Sequence, residues 1–284
     1  MEWIEVFKAV LFGIVEGITE WLPVSSTGHM ILLDEFVTLN LSEAFKSAFL
    51  VVIQLGAIMA VVVIYWHQIW PFPIKTNSQT GNKKLTVDMD IMNLWFKIIV
   101  ACIPAVIIGL LFEEKIDELF YNYMTVAIML IVVGIAFIII ENRNKGHKAK
   151  VLAVDQISYK YALIIGAFQV IAAVFPGTSR SGATILGGIM IGLTRKVAAE
   201  FTFYLAIPVM FGASFLKMIK LDYSLLGGLE WAVLFVGTMV AFLVSYIVIN
   251  KLMDYIRKHD FKIFGYYRIA LGTLVILYFS IFAN

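Results

Sequence analysis

Between Glu16 and His29 the chain reads Glu-Gly-Ile-Thr-Glu-Trp-Leu-Pro-Val-Ser-Ser-Thr-Gly-His, with apolar residues 10–15 before it and 30–33 after it. Glu16 and Glu20 stand four apart and share one face of a helix. A charged group at membrane depth costs roughly 2.5–3.5 kcal/mol on insertion scales. Two carboxylates aimed at one spot therefore call for a cation or a shared proton between them. A divalent oxygen-ligated ion, Mg²⁺ or Ca²⁺, completed by a substrate phosphate, suits such a pair. The alternative is an interfacial helix with both acids in water. Pro23 ends the helix, and Ser25, Ser26 and Thr27 follow in a turn. Hydroxyls there serve as helix caps, or one of them is a nucleophile with His29 or the Glu pair as its base. His29 lies three residues after Ser26, near enough on a short helix to share its face.

A second turn reads Pro176-Gly-Thr-Ser-Arg-Ser-Gly-Ala-Thr184. Arg180 sits between Ser179 and Ser181, and its guanidinium fork suits a phosphate oxyanion. A Gly-rich, hydroxylated turn that opens a helix adds backbone N–H donors to the same anion. The competing role is structural, an arginine bridging the two turns through Glu16 or Glu20. Gln54 reads as an inter-helix hydrogen-bonding residue, and Arg268 as a snorkelling residue near the end of the last span.

The elements that must carry these turns are membrane helices. The 284 residues are 61% hydrophobic and 15% charged, with a mean hydropathy of +0.90, against about 45–50% and about 25% in soluble chains. The basic residues are scattered through loops, which gives nucleic-acid binding no support. The single cysteine, Cys102, excludes an internal disulfide and a Cys-rich metal site. Glu2 and Glu5 stand where a signal peptide would carry basic residues. Residues 4–15 and 161–175 are apolar but short, and each runs straight into a polar turn, which reads as a re-entrant helical hairpin. Residues 47–66, 98–112, 123–140, 201–216, 231–249 and 269–283 read as six spans, with a polar connector at 67–93 and an acidic turn at 113–118.

A constant offset of 153 places Gly13 on Gly166, Glu16 on Gln169, Pro23 on Pro176, Ser25 on Thr178 and Ser26 on Ser179. Five matches at one offset indicate an internal repeat. With three spans after each hairpin, the copies enter the bilayer from opposite sides. The expected fold is therefore an all-α polytopic membrane protein, a single domain over 1–284. Its inverted-topology halves run from about 1 to 141 and from 158 to 284, and their polar turns meet near the midplane. Loops 67–93, 141–160, 195–196 and 251–262 together hold fourteen Lys and Arg, which makes their side cytoplasmic and leaves the mouth of the first hairpin outside.

The two motifs, in this order within this hydropathy profile, closely resemble the undecaprenyl-diphosphate phosphatase family of bacterial inner membranes, also known as bacitracin-resistance proteins. The resemblance implies hydrolysis of the C55 lipid diphosphate to the monophosphate, recycling the carrier for wall polymers. It also implies a divalent cation and a site facing the periplasm or exterior. It assigns the site to Glu16, Glu20, Ser25, Ser26, Thr27 and His29 in the first motif, and to Ser179, Arg180, Ser181 and Thr184 in the second. Gln169 and Ala173 stand where the first copy has Glu16 and Glu20, so one half alone would hold the metal. The expected chemistry is metal-assisted phosphoryl transfer. Glu16 and Glu20 hold the cation, Arg180 with the Ser179/Ser181 turn grips the diphosphate, and Ser26 (or Ser25) attacks phosphorus or orients water while His29 moves the proton. The rival expectation is a transporter or flippase for an anionic lipid on the same inverted repeat. The expected partners are the lipid substrate and the surrounding membrane lipid, and a homodimer is left open.

Overall fold

The computed structural model describes residues 2–76, 83–220 and 226–282; Asn77 and Gly81 of the expected connector and Ala283 of the last expected span lie outside the described residues. Helix α1 (Glu2–Thr19) and the short α2 (Ser26–Phe36) come first, followed by α3 (Glu43–Ile64) and a single turn, α4 (Trp66–Ile69). The strands β1 (Ile74–Thr76) and β2 (Lys83–Leu85) then pair antiparallel inside the polar connector. After them come α5 (Met89–Phe120), α6 (Tyr123–Asn144), α7 (Tyr159–Val174), α8 (Arg180–Met190), α9 (Arg195–Lys220), α10 (Gly228–Ile256) and α11 (Lys262–Phe282). Six of these, α3, α5, α6, α9, α10 and α11, are long and apolar enough to cross a membrane. Among the described residues the regular structure is helical apart from the small β1–β2 hairpin.

Side-chain caps fix several helix starts. Ser42 Oγ accepts from Phe45 N at 3.3 Å, Asn122 Oδ1 from Thr125 N at 2.9 Å and Ser158 Oγ from Tyr161 N at 3.2 Å, each satisfying a donor the helix leaves free. Several helices run past the expected bounds: α5 begins at Met89, α9 at Arg195 and α11 at Lys262. Residues 113–118 continue α5 to Phe120 and form no turn. They contain no Gly or Pro, and Glu and Lys are good helix formers.

In lipid, helices associate through close packing and not through water exclusion, so small residues mark the crossings. α1 packs on α10, α7 on α5, α3 on α9 and α10, and α6 on α11. A Cβ at Gly13 would lie 2.6 Å from the Gly237 carbonyl oxygen, and one at Gly272 would lie 2.7 Å from that of Ala127. Gly134 and Gly265 are reciprocal, each 2.7 Å from the other's carbonyl by the same measure.

The basic loops gather at one end. Lys97 donates to the Asp155 carbonyl, Tyr159 to Asn93, and Val151 bridges to Leu193. Glu141 there takes a bidentate hold from Arg195 and accepts the Phe261 N–H.

Candidate active site

The two polar turns meet. α1 ends at Thr19, but Glu20 N still bonds Glu16 O at 3.0 Å, which keeps both acids on one face. Residues 175–179 join α7 to α8. Across the junction Arg180 Nη2 donates to Glu20 Oε1 at 3.0 Å, and Ser26 Oγ donates to Glu20 Oε2 at 2.7 Å. Arg180 Nη1 donates to the Thr202 carbonyl at 3.1 Å, which anchors the guanidinium to α9. Ser181 is buried and donates to the Glu20 carbonyl at 3.1 Å, so a second bond ties the turns.

Both short helices begin in the same unusual way. Their N-cap residues, Ser25 (φ 74°) and Ser179 (φ 71°), are the described non-glycine residues with positive φ. Such backbone costs on the order of 1–3 kcal/mol unless its surroundings hold it. Ser25 Oγ accepts from Gly28 N and Ser179 Oγ from Gly182 N. The caps stand 154 residues apart, while Pro23 and Pro176 stand 153 apart. Gly177 (φ +89°) is the extra residue, and its hydrogen faces the Val126 backbone. The counterpart of Ser25 is thus Ser179 and that of Ser26 is Arg180, one step later than a constant offset implies.

A cavity of about 180 Å³ lies where the turns join. Glu20, Ser26, Thr27, Gln54, Ser179 and Arg180 form its polar wall, and Ala172, Val209, Met210 and Ala213 part of its apolar wall. Gln54 is therefore a wall residue, where the sequence suggested inter-helix bonding alone.

Other expected site residues point elsewhere. The Ser25 hydroxyl is spent on its cap. Ser181 binds the first turn, and Thr184 is fully buried against the Arg180 carbonyl and the Thr202 hydroxyl. His29 bonds groups other than the Ser26 hydroxyl through both ring nitrogens. Its Nδ1 lies 2.7 Å from the Ser25 carbonyl and its Nε2 2.7 Å from Tyr267 Oη. A carbonyl can only accept, so Nδ1 carries the proton and Nε2 of the neutral ring accepts from tyrosine.

Glu16 is 1% exposed, within electrostatic reach of Glu20 and Arg180, and its Oε1 has no protein partner. A hard divalent ion fits that free oxygen beside Glu20. Among the described residues no three His, Cys, Asp or Glu cluster to form a cage, so substrate oxygens would have to supply much of the shell. Gln169, which the offset matches to Glu16, is also buried, and neither of its amide atoms has a protein partner.

Arg268 does not snorkel: it is fully buried and donates to the carbonyls of Pro23, Leu130, Met129, Gly177 and Thr178 at 2.8–3.4 Å. The signal was available, since an arginine flanked by apolar residues on both sides needs acceptors.

A family model described as bacitracin resistance protein BacA matches residues 9–274. The chain is 59% identical over 280 residues to the undecaprenyl-diphosphatase of Desulfitobacterium hafniense, covering 99% of this chain and 98% of that protein. It is 56% identical over 281 residues to undecaprenyl-diphosphatase 1 of Clostridium acetobutylicum, 99% and 100% of the two chains. It is also 54% identical over 277 residues to the undecaprenyl-diphosphatase of Enterococcus faecalis, 98% of each.

Proposed function

The chain belongs to the bacitracin resistance protein BacA family, and from that premise we propose that it hydrolyses undecaprenyl diphosphate to undecaprenyl phosphate and inorganic phosphate, recycling the lipid carrier of wall synthesis. It is a multi-pass protein of the bacterial inner membrane. The observation that carries the chemistry is the shared carboxylate of Glu20, which takes Arg180 on one oxygen and the Ser26 hydroxyl on the other.

In the proposed reaction the diphosphate enters the cavity with its oxygens on Arg180 and the Ser179 hydroxyl, and its first isoprene units against Val209, Met210 and Ala213. Glu20 takes the Ser26 proton, and Ser26 Oγ forms a bond to the terminal phosphorus as the bridging P–O bond breaks. Undecaprenyl phosphate leaves with that proton, and water then attacks the phosphoserine, giving its own proton to Glu20, which returns it to Ser26 Oγ as inorganic phosphate departs. A nucleophile on a carboxylate base is the arrangement that this chemistry needs. Glu16 and Glu20 would hold a divalent cation, which when bound neutralises phosphate charge as the bridging bond breaks. His29 is not needed for the proton. The relatives named above carry the name undecaprenyl-diphosphatase, which favours hydrolysis over transport.

The same reading makes α1–α2 and α7–α8 re-entrant hairpins of an inverted repeat. At 11 residues each, α2 and α8 are about 16 Å long, half of a hydrocarbon core of about 30 Å. Packing supports the repeat: α1 of one half lies on α10 of the other, α7 lies on α5 in return, and α6 meets α11 through the reciprocal glycines. The Lys- and Arg-rich end is assigned to the cytoplasm.

The deciding experiment is a time course of phosphate release from purified protein and C55 diphosphate in detergent, with and without chelator. Release that the chelator suppresses supports the proposal. No release would end it, and release indifferent to chelator would remove the cation.

A further inference from the structure

We infer that Tyr267 and Arg268, adjacent on α11, are positioning residues that set both turns of the site. The inference rests on the phosphatase reading, but its geometry is independent of any substrate. Arg268 is fully buried, and no carboxylate is among its bonded partners. A charge so placed is expensive unless every donor is used. Its acceptors explain the placement. Nη1 takes the Pro23 carbonyl of the first turn at 3.1 Å, and Nη2 takes Gly177 and Thr178 of the second at 2.8 and 2.9 Å. Nε and Nη2 also hold the α6 carbonyls of Leu130 and Met129 at 3.4 and 3.3 Å. One guanidinium thus fixes the distance between the two turns, immediately before the strained caps Ser25 and Ser179.

Tyr267 acts on the first cap from the other side. Its hydroxyl donates to His29 Nε2, and His29 Nδ1–H donates to the Ser25 carbonyl, both at 2.7 Å. Ser25 holds positive φ, and rotation of its peptide would swing Ser26 off Glu20. His29 is therefore a link in a Tyr267–His29–Ser25 relay, an orienting group and not a proton carrier. The two devices converge on one result: the Ser26 hydroxyl, the Glu20 carboxylate and the Arg180 guanidinium stay in register across elements far apart in the chain.

The test uses the full chain in detergent and compares Arg268→Lys, Tyr267→Phe, His29→Ala and His29→Asn with wild type. Phosphate release is read as kcat and KM across pH, and hydrogen exchange is read without substrate. Wild-type release tests the underlying reading; the exchange arm stands even if that reading fails. Lysine keeps the charge but cannot span five carbonyls. Arg268→Lys is expected to lower kcat by about tenfold to a hundredfold, the cost of an ångström-scale misplacement, with KM changed less than threefold. It should also speed exchange together in residues 20–29 and 175–182 while leaving α5 unchanged. The Asn amide can occupy the place of Nδ1, so His29→Asn should recover most of the kcat that His29→Ala loses, and Tyr267→Phe should fall several-fold with a wild-type pH profile. Wild-type kcat and exchange in Arg268→Lys would overturn the clamp. If that variant does not fold, Tyr267→Phe and the His29 pair still decide the relay. His29→Asn as inactive as His29→Ala, with one limb of the pH profile gone, would make His29 a proton carrier and overturn it.

Discussion

At the scale of single residues, the site is an economy of acceptors around one carboxylate. Glu20→Gln keeps the shape but loses both the base and half of the ion pair, so kcat for C55 diphosphate should fall by at least 10²–10³-fold. Arg180 side-chain burial is comparable to that of its partner (14% and 8% exposed), and removing one member of such a pair strands the other at roughly 3–5 kcal/mol. Glu20→Gln should accordingly melt lower, while Glu20→Gln with Arg180→Gln should regain part of that stability and no activity. Ser26→Ala should abolish turnover, and rapid quenching of wild type should trap phosphate on Ser26; activity near wild type in Ser26→Ala would rule out obligatory attack. That Glu20, Ser26 and Arg180 come together was legible in the sequence, because acids, hydroxyls and a guanidinium in apolar surroundings need one another. What could not be read were directions. Ser25 and Ser26 are chemically equal neighbours, and only the positive φ at Ser25 turns one hydroxyl to a cap and the other to Glu20. Nor does sequence spacing reveal that His29 Nε2 lies 2.7 Å from the Tyr267 hydroxyl on α11.

Helices and turns carry a different kind of constraint. Gly177 combines positive φ with a hydrogen facing the Val126 backbone; a Cβ there would lie 2.5 Å from the Val126 carbonyl oxygen. Gly177→Ala should displace the second turn and lower both melting temperature and phosphate release. The α6–α11 seam is equally intolerant. Gly134→Leu or Gly265→Leu would force the helices apart, a cost of about 1–3 kcal/mol for overpacking, measurable as a lower melting temperature. The six spans follow from hydropathy alone, since runs of apolar residues in lipid have one stable form. Helix ends were less readable. Drawing the last span from Ile269 put Arg268 at its edge, whereas α11 begins at Lys262 and carries the arginine well inside. Likewise, acidic residues at 113–118 suggested a turn that their helix propensity overrode.

For the molecule as a whole, the proposed topology predicts sidedness. The native Cys102 is buried, so a single cysteine introduced at Lys145 or Lys258 reports on its own loop. In intact cells both should resist a membrane-impermeant maleimide and react after permeabilisation, while one at Asn40 should react from outside; the opposite pattern would invert the assignment. The meeting of Pro23, Gly177 and Thr178 on one guanidinium also has a consequence in time. Both turns leave the ribosome well before residue 268, and α11 is the last of the described helices to be made. Until it inserts, the acids and the basic turn have no common anchor. A chain stopped before Lys262 should reach the membrane and release no phosphate, so that an unfinished copy is harmless to the carrier lipid around it.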